Sequence, residues 1–228
     1  MKIAVVTAAI GLKNIELYDP SYSSAEYFIF TDSNEEFSNW NKIRAFPGSL
    51  DSVYEARRCG KIPKILTHYL LPEYDYYIWH DYTHKVAIEP KDIITEHLGS
   101  NDFAFFKHPL RSSWDTELDE VLKSNIDDKN RLLLQKEYYT THQIQKNKNF
   151  YACTCIVRKN NEIANKTCSL WYDHVSQFSS RDQISLPAAI QRYNPKVTLL
   201  PGDCQFYYSN NKIIPQIRHS LRVQGLVK

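Results

Sequence analysis

The chain is short of glycine. Only six glycines occur in 228 residues, and none builds a Gly-rich loop of the Walker or dinucleotide-binding kind. Any phosphate would therefore have to be held by side chains or by a metal. With 43% hydrophobic residues beside so little glycine, a collagen-like or disordered chain is excluded and a substantial core is expected. A surplus of one charge is also missing. The 28 Lys and Arg stand against 26 Asp and Glu, net +2, which argues against a nucleic-acid binder working by bulk charge. No apolar run approaches the roughly 18 to 20 residues of a membrane helix. Met1-Lys2-Ile3-Ala4-Val5-Val6 passes straight into a strand-like run, without a signal-peptide pattern. The cysteines (Cys59, Cys153, Cys155, Cys168 and Cys204) lack zinc-ribbon spacing. They read as reduced thiols of a cytoplasmic, non-secreted protein, with Cys153 and Cys155 expected to share one face of a strand.

What is present is an alternation of strand and helix patterns. Lys2–Ala9, Tyr27–Thr31, Tyr76–His80, Phe103–Lys107 and Tyr151–Val157 read as strands. Helical spacing occupies Leu50–Leu71 in two pieces, with the break expected between Gly60 and Pro63. It recurs over Trp114–Ser124, Lys129–Gln143, Asn161–Phe178 and Asp182–Tyr193. Such alternation predicts an α/β layered fold with a mostly parallel sheet, and no repeat or linker divides residues 1–228 into more than one domain. Ligands of such sheets bind beyond the carboxyl ends of the strands. Ala8 to Gly11, Asp32, Asp81 to His84 and His108 to Arg111 fall there.

Three groups of residues carry chemistry. An aromatic strand delivers His80, Asp81 and His84 to one strand end, suited to a metal or phosphate, although a lone Asp there also serves as a cap. Arg57, Arg58, Lys61 and Lys64 form a basic cluster upstream. It is either a solvated face or a clamp for a diphosphate, and Arg57, Lys61 and Lys64 share a face only if the helix is continuous. Ser179-Ser180-Arg181-Asp182-Gln183 opens a late helix. Ser179 or Ser180 is placed to cap it, and Asp182 suits either its first turn or catalysis.

Ala56-Arg57-Arg58-Cys59-Gly60-Lys61-Ile62-Pro63-Lys64-Ile65-Leu66-Thr67-His68 leads into Leu71-Pro72-Glu73-Tyr74-Asp75-Tyr76-Tyr77-Ile78-Trp79-His80-Asp81. With His108-Pro109-Leu110-Arg111 and Arg181-Asp182-Gln183-Ile184-Ser185-Leu186-Pro187, this resembles a glycosyltransferase-like family of plant cell-wall and mucilage proteins with bacterial and viral relatives. The resemblance implies a GT-A-like α/β/α sandwich that moves a sugar from a nucleoside-diphosphate sugar, expected to be a UDP-sugar, to a glycan or glycoprotein acceptor. It implies a nucleotide-sugar site at Thr7, Ala8, Asp32, Arg57, Lys61, His80, Asp81, His108 and Arg111. It also implies Mn2+ (or Mg2+) on an Asp-x-Asp motif, here Asp81-Tyr82-Thr83 with Thr83 in place of the second acid, and a late ligand at His219. Asp182, beside Arg181, is the candidate base of an inverting enzyme. Two other functions fit the residues less well: a sugar-phosphate nucleotidyltransferase, which would want a Gly-rich loop after the first strand, and a non-catalytic sugar- or nucleotide-binding module.

Overall fold

Ile3–Ala9 forms a central strand, β1, buried on both faces as a run of small and β-branched apolar residues requires. The structure, a computed structural model, describes residues 1–12, 15, 17–20, 22–45, 53–84, 86, 88–146 and 149–202. Six further strands join β1: β2 (Glu26–Thr31), β3 (Asn41–Arg44), β4 (Tyr76–His80), β5 (Phe103–Lys107), β6 (Tyr151–Lys159) and β7 (Val197–Leu199). Their spatial order is β3-β2-β1-β4-β6-β5-β7. Among the described residues only β6 opposes its neighbours, running antiparallel to β4 and to β5, so the sheet is mostly parallel as expected.

Helices cover both faces. On one side lie α1 (Val53–Ile65), the single turn α2 (Thr67–Leu70), α6 (Glu162–Gln177) and α7 (Asp182–Tyr193), packed on Ala4, Val6, Tyr77, Trp79 and Ile156. On the other, α3 (Pro90–Asp92) continues as a π-helical segment (Ile93–Leu98) against Val5, Ile78 and Val157. A satellite core around Trp114, Tyr139 and Phe178 joins α4 (Trp114–Ser124) and α5 (Lys129–Thr141) to α7. Local chemistry sets the helix ends. Asp128 accepts the Asn130 and Arg131 N–H groups at 2.9 and 3.1 Å, and Asn161 accepts that of Ala164 at 2.9 Å. Asn125 and Asn194, both left-handed, close α4 and α7.

Several expectations are corrected. α1 runs unbroken through Gly60 and Pro63, and the break falls at Leu66. Pro63 sits in the last turn, where its missing N–H forfeits a single helical bond. The structure also adds β3, β7 and the Pro90–Leu98 segment. β3 is a four-residue edge strand rich in charge and β7 has three residues, both too short to show a period. Cys153 and Cys155 are both buried and in no disulfide among the described residues, but they face opposite sides of the sheet. The reason is an irregularity between Phe105 and Phe106 on β5, where the partner on β6 jumps from Ile156 to Ala152 and flips the alternation.

Under α2 lies Arg158, fully buried and stacked 4.4 Å from the centre of the Tyr77 ring. Its guanidinium donates to the Ile65 carbonyl and to His68 Nδ1, each at 3.4 Å. Burial, with Arg158 beside it, pushes the His68 imidazole down to about 3. His68 is therefore neutral in the folded protein, whereas unfolding exposes an imidazole that protonates near 6.5. Between those values the unfolded chain binds the extra proton, so stability falls as pH is lowered through that window. Urea midpoints at pH 7 and pH 4.5 test this: His68→Gln is expected to lose less stability on acidification than the natural sequence.

Candidate active site

The strand-end rule places the site where β1, β2, β4 and β5 finish, and the side chains there fall into two charged clusters. In the first, Asp81 directly follows β4, and its N–H donates to the Thr154 carbonyl of β6 at 2.9 Å. The Trp79 indole N–H, two residues back on the same face, donates to Asp81 Oδ1 at 3.1 Å and fixes that carboxylate. Continuity of α1 brings Lys61 and Lys64 onto one helical face above it. Lys64 Nζ lies 3.6 Å from Asp81 Oδ1 and 2.7 Å from Asp182 Oδ2, with the Trp79 ring 5.5 Å away. Lys61 Nζ lies 2.8 Å from Asp182 Oδ1. Two ammonium groups thus interleave with two carboxylates. The Lys64 and Asp182 side chains are 3% and 5% exposed, whereas Lys61 and Asp81 are 21% and 34% exposed and form the open rim.

Electrostatics follow from that packing. Burial by itself would raise the Asp182 carboxyl, but Lys61 and Lys64 outweigh it and hold the group far below the ordinary carboxylate range. Asp81 shows the same contest, with Lys64 and then Lys61 pulling it down against burial. An Asp so tightly ion-paired is a weak proton acceptor. Cys153, buried beneath the cluster, is pushed well up by burial and stays a thiol.

The second cluster surrounds Glu117 on α4, a buried acid. Arg181 donates to Glu117 Oε1 at 2.9 Å, while His108 Nε2 and Arg111 Nε stand 3.8 and 3.7 Å from Oε2. His108 Nδ1 accepts the N–H groups of Leu110 and Arg111 at 3.2 and 2.9 Å, which puts the ring proton of the neutral form on Nε2. The Ser179–Ser180 loop that leads into Arg181 and Asp182 is tied down by Asp127. Its Oδ2 accepts the Ser179 hydroxyl at 2.6 Å and the Ser180 N–H and hydroxyl at 2.8 and 3.1 Å. Neither serine caps α7, whose N-cap is Arg181; both donate to Asp127, and Ser179 Oγ also accepts the Arg181 N–H at 3.0 Å. The Trp171 indole N–H also anchors this start, donating to the Asp182 carbonyl at 2.8 Å.

The structure therefore brings Lys61, Asp81 and Asp182 together, and separately gathers His108, Arg111 and Arg181. The others sit apart from both clusters. Arg57, although on α1, donates to the Ile126 carbonyl at 2.5 Å. Asp32 accepts the Gly11 N–H at 2.9 Å and links the turns after β1 and β2. Thr7 is fully buried, while Ala8 packs partly buried on the α1 side. His80 points to the opposite face, 5.9 Å from the Trp40 ring, with Nδ1 3.0 Å from the Asp81 carbonyl. His219 lies outside the described residues.

The donor set can be tested against a divalent ion. Among the described residues, no three His, Cys, Asp or Glu side chains converge as a metal site. Thr83, at the second acid position, is buried and paired with His84 Nδ1 at 3.0 Å. Asp81 is faced by an ammonium group. The described side chains do not fit such an ion.

The fold is the α/β layer type found in a glycosyltransferase. It aligns over 87% of this chain and 38% of the other with the apo structure of the WbbM bifunctional glycosyltransferase, with a TM-score of 0.50 and 11% identity. The chain belongs to the TOD1/MUCI70 glycosyltransferase-like domain family, whose profile matches residues 30–219 and so spans both clusters. Arabidopsis thaliana has a relative described as probable hexosyltransferase MUCI70, 28% identical over 141 residues. That match covers 58% of this chain and 24% of the length of the plant protein. Among the described residues, no helix is long and apolar enough to cross a membrane.

Two outcomes follow from the buried acids. Asp182→Asn leaves Lys64 without its nearest carboxylate and is expected to cost about 3–5 kcal/mol of unfolding free energy. Asp127→Ala, which frees three donors of the Ser179–Ser180 loop, is expected to cost about 2–4 kcal/mol. Urea denaturation of each variant checks both, and an Asp127→Ala protein within 0.5 kcal/mol of the natural one would refute the anchoring role.

Proposed function

We propose that this domain transfers a hexose from a UDP-sugar to a hydroxyl of a glycan or protein-linked acceptor. The observation that carries this is the interleaved Lys61–Asp182–Lys64–Asp81 group at the strand ends, inside the span matched by a glycosyltransferase-like family. Sugar transfer from a nucleoside diphosphate needs positive charge beside the departing diphosphate, and cations held in a desolvated site supply it efficiently. Lys61, on the open rim, is the donor-side cation in this reading. Asp32 and the residues that end β1, Thr7 and Ala8 among them, lie on the side assigned to the uridine.

Asp182 is assigned a positioning role: it aims the two ammonium groups, and its lowered proton affinity makes it a poor base while they remain paired to it. The second cluster borders the acceptor side. Arg111, 23% exposed and shared between Glu117 and Glu120, is its reachable donor for sugar hydroxyls.

The test is release of UDP from a panel of UDP-hexoses, with and without oligosaccharide acceptors. UDP release is expected from at least one donor, reduced at least tenfold in Lys61→Ala. Binding of UDP with no release from any donor would favour a non-catalytic module. Pyrophosphate release from UTP and a sugar 1-phosphate would favour a nucleotidyltransferase.

A further inference from the structure

The place between the two site carboxylates is filled by a lysine. Lys64 Nζ touches Asp182 and faces Asp81, and its side chain is almost wholly enclosed. The charges of the group balance: two ammonium groups offset two carboxylates, as one divalent ion would. The position where the resemblance calls for a second acid holds Thr83, whose hydroxyl is spent on His84. Each departure removes something a metal needs, and the lysines restore the lost positive charge.

We infer that a lysine pair takes over the part of a divalent ion in this domain. Lys64 is the permanent interior charge that neutralises and orients Asp81 and Asp182. Lys61 is the partly exposed rim charge that meets the diphosphate. This rests on the nucleotide-sugar reading above. In the transfer, the bond from the anomeric carbon to the diphosphate oxygen breaks with its electron pair on that oxygen. Lys61 balances the charge that develops there. The acceptor hydroxyl oxygen forms the new bond to the anomeric carbon, and its proton passes to the departing diphosphate oxygen. Lysine suits this task because its ammonium is a compact point charge on a flexible stem. At the rim it can turn from Asp182 to a phosphate while Lys64 keeps Asp182 paired.

Calorimetric titration of UDP into the full chain, once with excess EDTA and once with MnCl2, tests the inference. The two affinities are expected to agree within threefold. Lys61→Met is expected to weaken UDP binding at least tenfold under both conditions, and Lys61→Arg to retain most of it. Circular dichroism melts check that both variants fold, and the natural protein in EDTA decides the metal question without any variant. Binding lost in EDTA and restored by manganese would overturn the lysine assignment while leaving the UDP-sugar reading intact. Unchanged affinity in a folded Lys61→Met would overturn the role of Lys61. Absence of UDP binding under both conditions would overturn the inference together with the reading on which it rests.

Discussion

The contact between Lys64 and Asp182 is the constraint on which the strand-end architecture hangs. It joins the last turn of α1 to the first residue of α7, and the neighbouring Lys61–Asp182 bond spans 121 residues of sequence. For those groups to meet, both helices must lie on the same face of the sheet, and Trp79 must form the floor beneath them. A buried ion pair is poor evidence of net stability, because desolvating both charges offsets most of their attraction. What it imposes is selectivity. Any packing of α1 or α7 that separates the partners strands a charge in the interior, so the competing arrangements are penalised. Trp171 strengthens the same choice by bonding the backbone at Asp182 rather than its side chain.

Adjacent residues serve different clusters. Asp182 turns inward to the lysines, whereas Arg181 reaches Glu117 on α4. A single tight loop, pinned by Asp127, therefore leads into both clusters and sets the distance between them. The two cannot drift independently. In the transfer proposed above, that coupling would count, because misplacement of one partner by an ångström is costly.

Much of this was legible in the residues themselves. Continuous apolar runs marked β1, β4 and β5, and the strand-end rule picked out Asp81 and the turns after β1 and β2. Helical spacing placed Lys61 and Lys64 on a common face, yet Gly60 and Pro63 argued for a break that the helix does not make. Pro63 falls where its lost hydrogen bond costs least, a fact invisible until the end of α1 is known. Glu117 and Asp127 left no signal. An acid in an amphipathic helix or before a helix start is ordinarily solvated, and only the tertiary approach of Arg181 and of Ser179–Ser180 makes these two interior groups. Cys153 and Cys155 went to opposite faces because the irregular pairing of β5 with β6 breaks a period-two rule that assumes an unbroken ladder.

The reversed direction of β6 bears on how the chain reaches its native state. β3, β2, β1 and β4 assemble from the first 80 residues, in parallel, beside α1. β5 cannot join them directly, since β6 lies between β4 and β5. During synthesis the outer edge of β4 must therefore wait, its peptide groups unpaired, until Lys159 has emerged. Contacts of such large sequence separation form slowly, and an unpaired apolar strand edge is a template for association with another chain. The stretch from β1 to β4 is thus the portion of this domain most exposed to misassembly on the ribosome, and arrival of β6 is the event that ends that exposure.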